Sequence, residues 1–541
     1  MAMTQAVQPV IRPATQPTTP ARHVTVRGRA SFWLFGAAAC VALLVLLPLA
    51  FTLRQALGFG AANAAELVFR PIVGELALNT LMIVAAATVT SAIVGAAAAW
   101  FVERTHLPGR KIWAVLAAAP LAVPPFITSY AWVSFSESLQ DFNGALLVVT
   151  TAYYPLIYLP VAAALRGMDP ALEETARSLG LGPWTRFFRV VLPQLKPALL
   201  GGMLLVALGT LSEFGAFALL RFRTFTTEIY AEYRLSFDGS GASMLASILM
   251  LLCLVCLALE FRVRGLSRYD RMDRGARRAP ARYHLGWGKW PVLASFAGLT
   301  LVTLGMPLGM IVYWLLQHGD AAITPVEVSL PLVLDATLSS VGLGLAGAAL
   351  TTVLALPLGL LLARHPGRIA TLLERIVYLA QGLPGIVIAL AIVSLAIQAL
   401  RPLYQSAALL VVAYAILFLP LALVSVRAAL LQVEPRLEDA ARSLGLNRWQ
   451  TLWRVVLPLA GPGLGCAAAL VFISVMTELT ATLLLAPIGT QTLAMQVWAD
   501  TAALAFAAAA PYAAILVGFS LISTWLLMSL FGKTAVLGAT S

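Results

Sequence analysis

The apolar residues of this 541-residue chain fall into twelve runs, each long enough to cross a lipid bilayer, with charged residues mostly between them. About 20 helical residues cover a hydrocarbon core of roughly 30 Å. The runs lie at 31–53, 76–102, 112–136, 143–165, 196–220 and 242–263, then at 290–317, 334–363, 376–399, 406–430, 460–486 and 505–531. Composition agrees: 60% of residues are hydrophobic, 11% are charged, and the mean hydropathy is +0.88. A soluble globule of this size needs far more polar surface. The pattern predicts an all-α polytopic membrane protein of about twelve transmembrane helices.

The order of the runs divides the chain. A polar, basic segment at 1–30 reads as a disordered cytoplasmic tail, and the run after it reads as a retained helix with no cleavage site. A first transmembrane domain covers 31–263, a basic cytoplasmic linker 264–289, a second domain 290–531 and a cytoplasmic tail 532–541. With both termini inside, 30 of the 36 Lys and Arg residues fall on the cytoplasmic side, the bias expected of positively charged inner loops. The net charge of +12 is thereby explained by topology, with no nucleic-acid partner. Six runs per half is an even number, so the halves are read as parallel repeats. The sequence repeats too: LSEFGAFALL at 211–220 matches MTELTATLLL at 476–485, and Asn79-Thr80-Leu81 and Ala336-Thr337-Leu338 are taken to open corresponding helices.

The clearest repeat is polar. DPALEETARSLGLGPWTRFFRVVLP runs from Asp169 to Pro193, and EPRLEDAARSLGLNRWQTLWRVVLP from Glu434 to Pro458. In each copy a carboxylate precedes Pro170 or Pro435, as N-cap precedes N1. Acidic residues occupy the first turns, where the helix dipole favours them. Gly180 and Gly445 suit the position that ends a helix. A second short segment with a greasy face should follow, stopped by Pro193 and Pro458. The expectation is a helix–turn–helix elbow outside the bilayer, shaped as a docking surface.

These residues resemble the EAA motif of importer-type ABC permeases, with Glu174-Thr175-Ala176, Gly180 and Leu192-Pro193 in one copy. Asp439-Ala440-Ala441, Gly445 and Leu457-Pro458 form the other. Thr175 and Asp439 are the departures, and neither removes the charge or the small-residue character by much. The resemblance covers nearly the whole chain from residue 31. It implies a fused permease in the inner membrane of a bacterium, itself not an enzyme and holding no cofactor. Two ATP-hydrolysing subunits would grip the two elbows, and a periplasmic binding protein would deliver the ligand. Glu174, Ala176, Gly180, Pro193, Asp439, Ala440, Ala441, Gly445 and Pro458 would couple ATPase motion to the membrane helices. EFGAFALLRFRTFTTEIY (213–230), GLPGIVIAL (382–390) and MTELTATLLLAP (476–487) look most like the ferric-iron group. Thiamine importers share the layout, and an ion-gradient-driven transporter is the alternative of another class.

Within the membrane, Glu213 and Glu478 stand out at equivalent positions. An acidic residue in a span costs roughly 2.5–3.5 kcal/mol on insertion scales, so it faces a cavity or a partner. Counted from Lys196 and Gly461, each lies 17 residues along its helix, about 25 Å up. Paired carboxylates there suit a hard cation such as Fe³⁺. Pro124 and Pro125 in one half, and Pro384 in the other, should kink two helices beside the same pathway. Tyr130, Tyr153 and Tyr154 read as interface anchors in preference to pore lining.

Other motifs lead nowhere. Cys253 and Cys256 form a CxxC inside an apolar run without the polar surroundings a metal needs. Gly532-Lys533-Thr534 lacks the first glycine of a phosphate loop, since position 527 is Leu. No histidine falls mid-span, which argues against haem.

Overall fold

The computed structural model describes residues 32–58, 66, 69–266, 282–317 and 329–537. The tail expected at 1–30 lies outside them, as do residues 267–281 of the expected linker. Among the described residues there is no β-strand beyond an isolated bridge between Thr105 and Tyr283.

Ten helices in the first half are echoed by ten in the second. The first ten are α1 (Phe32–Gly58), α2 (Pro71–Arg104), α3 (Arg110–Ala122), α4 (Pro125–Phe135), α5 (Phe142–Arg166), α6 (Pro170–Ser178), α7 (Pro183–Ser212), α8 (Gly215–Leu219), α9 (Phe225–Arg234) and α10 (Gly239–Leu266). Their counterparts are α11 (Gly286–Leu316), α12 (Leu330–Arg364), α13 (Arg368–Gln381), α14 (Gly385–Ala399), α15 (Ala407–Gln432), α16 (Pro435–Ser443), α17 (Arg448–Met476), α18 (Thr480–Leu485), α19 (Leu493–Ala502) and α20 (Phe506–Leu537). Ten described helices are long and apolar enough to span, and the number rises to twelve if each of two bent pairs counts as one broken span.

Each half is built on three packed helices: α2, α5 and α7, then α12, α15 and α17. Small residues let them approach. Ala87, Ser91, Gly95 and Ala98 form one buried stripe on α2, and Gly347, Thr351 and Ala355 its counterpart on α12. A Cβ at Gly95 would stand 2.8 Å from the Tyr154 carbonyl oxygen. Helices in lipid gain most from such close packing, since lipid itself is apolar. The outer helices cross over. α1 and α10 pack on α14 of the second half, and α11 and α20 on α4 of the first.

Four expectations are corrected here. The runs 112–136 and 376–399 are two helices each, meeting at 91° and 101°. Pro124 and Pro384 hold nearly the same extended conformation (φ −59°, ψ 143° and 141°), so the chain turns a corner there instead of kinking. The runs 196–220 and 460–486 end as helices at Ser212 and Met476. Pro193 and Pro458 do not stop the elbow's second helix. Each is preceded by one wide π turn, Phe187–Val191 or Leu452–Val456, and the helix continues beyond it. A proline ring ordinarily clashes with the carbonyl four residues back, and a five-residue step relieves that crowding. Lastly, α20 runs to Leu537, so most of the tail expected at 532–541 is helical.

The register of the repeat also needs adjusting. Helices α2 and α12 begin at Pro71 and Leu330, well before Asn79 and Ala336. The structural mate of Thr80 is Ser340. The Thr80 hydroxyl accepts from the Phe225 amide (3.3 Å), and the Ser340 hydroxyl from the Leu493 amide (2.8 Å). Each thereby ties the start of α9 or α19 to the long helix of its own half.

Candidate functional site

Two features recur in both halves: an elbow at one end of the long helix α7 or α17, and a carboxylate at the other. The elbow helices α6 and α16 end alike. Gly180 (φ +79°) and Gly445 (φ +90°) are left-handed. Beyond them the amides of Leu181 and Leu446 donate back to the carbonyls of Ala176 and Ala441 at 3.1 and 3.2 Å, a Schellman closure. At the other end the Asp169 carboxylate accepts from the Ala171 amide at 2.9 Å, whereas Glu434 holds the same position without a side-chain cap bond, so the expected carboxylate cap forms in the first copy and not in the second.

Ala176 and Ala441 are buried, while Glu174, Asp439, Ala440, Pro193 and Pro458 are exposed. Around them Leu172, Leu179, Trp184 and Phe188 are exposed on one elbow, and Leu437, Leu444, Trp449 and Trp453 on the other. Each member lies 265 residues from its mate. Trp184 stacks on Phe188 and Trp449 meets Trp453 edge-on, so each elbow carries a matched apolar patch of the kind that suits a protein partner.

What holds the elbows was missed in the sequence. The acid before each motif residue forms the structural ion pair: Glu173 with Arg104 and Glu438 with Arg364, the latter at 2.6 Å. Arg104 is only 1% exposed, and Arg364 also donates to the Val433 carbonyl (2.9 Å). The readable signal was an Arg ending both apolar runs (FVER and LLAR). Tyr283, from the end of the linker, donates its hydroxyl to Glu173. Burial and then that carboxylate push the Tyr283 hydroxyl above its ordinary value. At the second elbow, partial burial and the Arg448 guanidinium hold the His365 imidazole below its ordinary value.

From the elbow, α7 runs 30 residues through its single π turn, about 45 Å, and Glu213 follows its last residue. Measured from this true start, Glu213 stands farther from the elbow than the distance expected from Lys196. α17 runs 29 residues and ends two before Glu478. Both carboxylates sit where the chain breaks and re-enters a short helix, each capping the new turn. Glu213 accepts from the Ala216 amide and Glu478 from the Ala481 amide, both at 2.9 Å.

Glu213 and Glu478 line one cavity of about 390 Å³ between the halves. Pro124, Pro125 and Gly385, at the two corners, line it too, while Pro384 is the residue before Gly385. Tyr153 lines the cavity and donates its hydroxyl to Glu213 at 2.7 Å. Its mate in the second half is Phe418, so the donor set is lopsided. The reading of the three tyrosines as interface anchors fails. Tyr130 is buried and donates to the Phe506 carbonyl across the two halves (3.0 Å), and Tyr154 is buried as well. Among the described residues no Lys, Arg or His lines the cavity. Nor is there a cluster of three or more His, Cys, Asp or Glu that could hold a resident metal ion.

A duplicated bundle of spanning helices, with a cavity between its halves and a matched elbow on each, defines a membrane permease. The chain belongs to the family of binding-protein-dependent transport system inner membrane components, whose pattern it matches twice, over residues 91–263 and 355–531. It is 35% identical over 500 residues to the Fe(3+)-transport system permease protein FbpB 2 of Haemophilus influenzae, covering 92% of this chain and 98% of that one. It is 29% identical to the sulfate transport system permease protein CysT of Escherichia coli, over 43% of this chain and 90% of that protein. It is 27% identical to the molybdenum transport system permease protein ModB of the same species, over 36% and 94%. The chain is therefore a fused, multi-pass inner-membrane permease of an ABC importer. Such subunits work with separate ATPase and solute-binding partners.

Proposed function

We propose that this permease passes ferric iron, handed over by a periplasmic binding protein, and that two ATPase subunits drive it through the two elbows. Both termini then lie in the cytoplasm, as the Lys and Arg distribution requires. The observation that carries the substrate is the donor set of the cavity, which holds two carboxyl groups and no cation among its described lining. Its relatives include permeases named for iron and for sulfate. A lining of two carboxyl groups with no cation offers an anion such as sulfate no counter-charge, while its oxygens can coordinate a cation. Carboxylate, phenol and hydroxyl oxygens are the donors a hard, highly charged cation prefers.

The machinery follows from the helices. An ATPase gripping Leu179, Trp184 and their neighbours, beside Glu174 and Gly180, moves the elbow. The elbow is continuous with α7, and the far end of α7 carries Glu213. The same holds for Asp439, Gly445, α17 and Glu478. Closing the ATPases swings both rods, and the cavity between their ends changes the side to which it opens. ATP is bound and hydrolysed by the partner alone.

The test is uptake into vesicles holding the permease with its ATPase and binding protein. Labelled ferric iron should accumulate with ATP, while thiamine and sulfate should not. Glu213→Gln combined with Glu478→Gln should bring iron uptake to background with the complex still assembled. Sulfate or thiamine uptake, or unimpaired iron uptake by the double variant, would overturn the reading.

A further inference from the structure

We infer that Phe214, Tyr230 and Trp498 form an aromatic seal closing the cavity on the side away from the elbows. Phe214 follows Glu213 directly and lines the cavity. Its ring packs at a tilt of 45° on Tyr230 at 4.9 Å and reaches Trp498 at 6.4 Å, while Tyr230 and Trp498 meet edge-on at 5.8 Å. Tyr230 lies on α9 and Trp498 on α19, the same helix of the repeat, each tied down by the hydroxyl of Thr80 or Ser340. Two of the rings belong to the first half and one to the second, so the contact must part when the halves separate.

The surroundings fit a barrier that opens. Beneath the rings the halves abut tightly: a Cβ on Gly215 would stand 2.8 Å from Cδ2 of Leu479, the second-half mate of Phe214. Tyr230 and Trp498 are half-buried. The Trp498 indole N–H is buried without an acceptor among the described residues. A donor in that state disfavours the closed form and is relieved once water reaches it. Packed aromatic rings exclude water and ions over a large area yet separate without breaking a ring-to-ring hydrogen bond. The Thr226 hydroxyl donates to the Glu213 carbonyl at 2.6 Å, so α9 and its ring are fastened to a residue of the cavity wall.

This inference takes from the proposed function only that the cavity lies on the transport path, and its test needs no iron. Cys40, Cys253, Cys256 and Cys466 are replaced by Ala, and Ser474, on the cavity wall, is changed to Cys. The full complex is placed in vesicles of known sidedness, and a membrane-impermeant thiol reagent is applied to each side separately. Adding Tyr230→Ala with Trp498→Ala should speed labelling several-fold from the side opposite the elbows and leave the elbow side unchanged. In a second variant Tyr230→Cys and Trp498→Cys should cross-link to each other through a short bifunctional reagent, and ATP should then no longer raise labelling from that side. Unchanged labelling in the alanine variant, or ATP-stimulated labelling after cross-linking, overturns the seal. So does failure of the two cysteines to cross-link.

Discussion

At the scale of single residues, the elbows depend on two glycines that no other L-residue replaces freely. Left-handed backbone costs a residue with a Cβ about 1–2 kcal/mol, and Gly180 and Gly445 sit at φ +79° and +90°. No described atom lies within 4 Å of a Cβ built on either, so the penalty is conformational and local to the elbow. Gly180→Ala with Gly445→Ala should therefore leave the membrane core intact. ATP hydrolysis by the assembled complex should continue while uptake falls. Joint measurement of the two rates checks this; equal loss of both would place the glycines in assembly instead. The paired signature was legible in sequence because local chemistry dictates it: Pro after a carboxylate, then Gly at the turn. The anchoring pairs were not legible, because Arg104 and Glu173 lie 69 residues apart and meet only through tertiary packing. Tyr153 was misread for the same reason: an aromatic near a helix end looks like an interface anchor until its hydroxyl is seen on Glu213.

At the scale of elements, the π turns explain how a proline can sit inside the long helices α7 and α17. Leu192 bonds back to the Phe187 carbonyl, one residue farther than in an α-helix. Deleting Arg189 would remove the extra residue and bring the Pro193 ring against a carbonyl, a clash of about 3 kcal/mol. The deletion should lower the melting temperature of the purified complex, and Pro193→Ala should restore most of the loss. A deletion that is harmless by itself would show that the wide turn does not accommodate the proline. Apolar runs in the sequence located the spans because lipid sets their length. They overshot at 196–220 and 460–486, since hydropathy continues through α8 and α18 after the helix axis has broken. The corners at Pro124 and Pro384 were legible as irregularities, but a right angle depends on what packs against them. Here those neighbours come from the opposite half, as α20 against α4 and α10 against α14.

At the scale of the whole molecule, the duplication makes one chain do the work of a symmetric pair, with its halves locked by crossed outer helices. Symmetry is kept at the elbows and the carboxylates. It is relaxed in the cavity, with Tyr153 against Phe418, and at the linker, where Tyr283 braces the first elbow. The central claim is that two equivalent elbows each receive one ATPase subunit. Native mass measurement of the complex purified through this chain tests it most directly. The account predicts two ATPase subunits per chain, falling to one when Leu179→Asp and Trp184→Asp disable the first elbow, and to none when Leu444→Asp and Trp449→Asp are added. A complex that retains both ATPases with both elbows altered, or that never contains an ATPase, would contradict it.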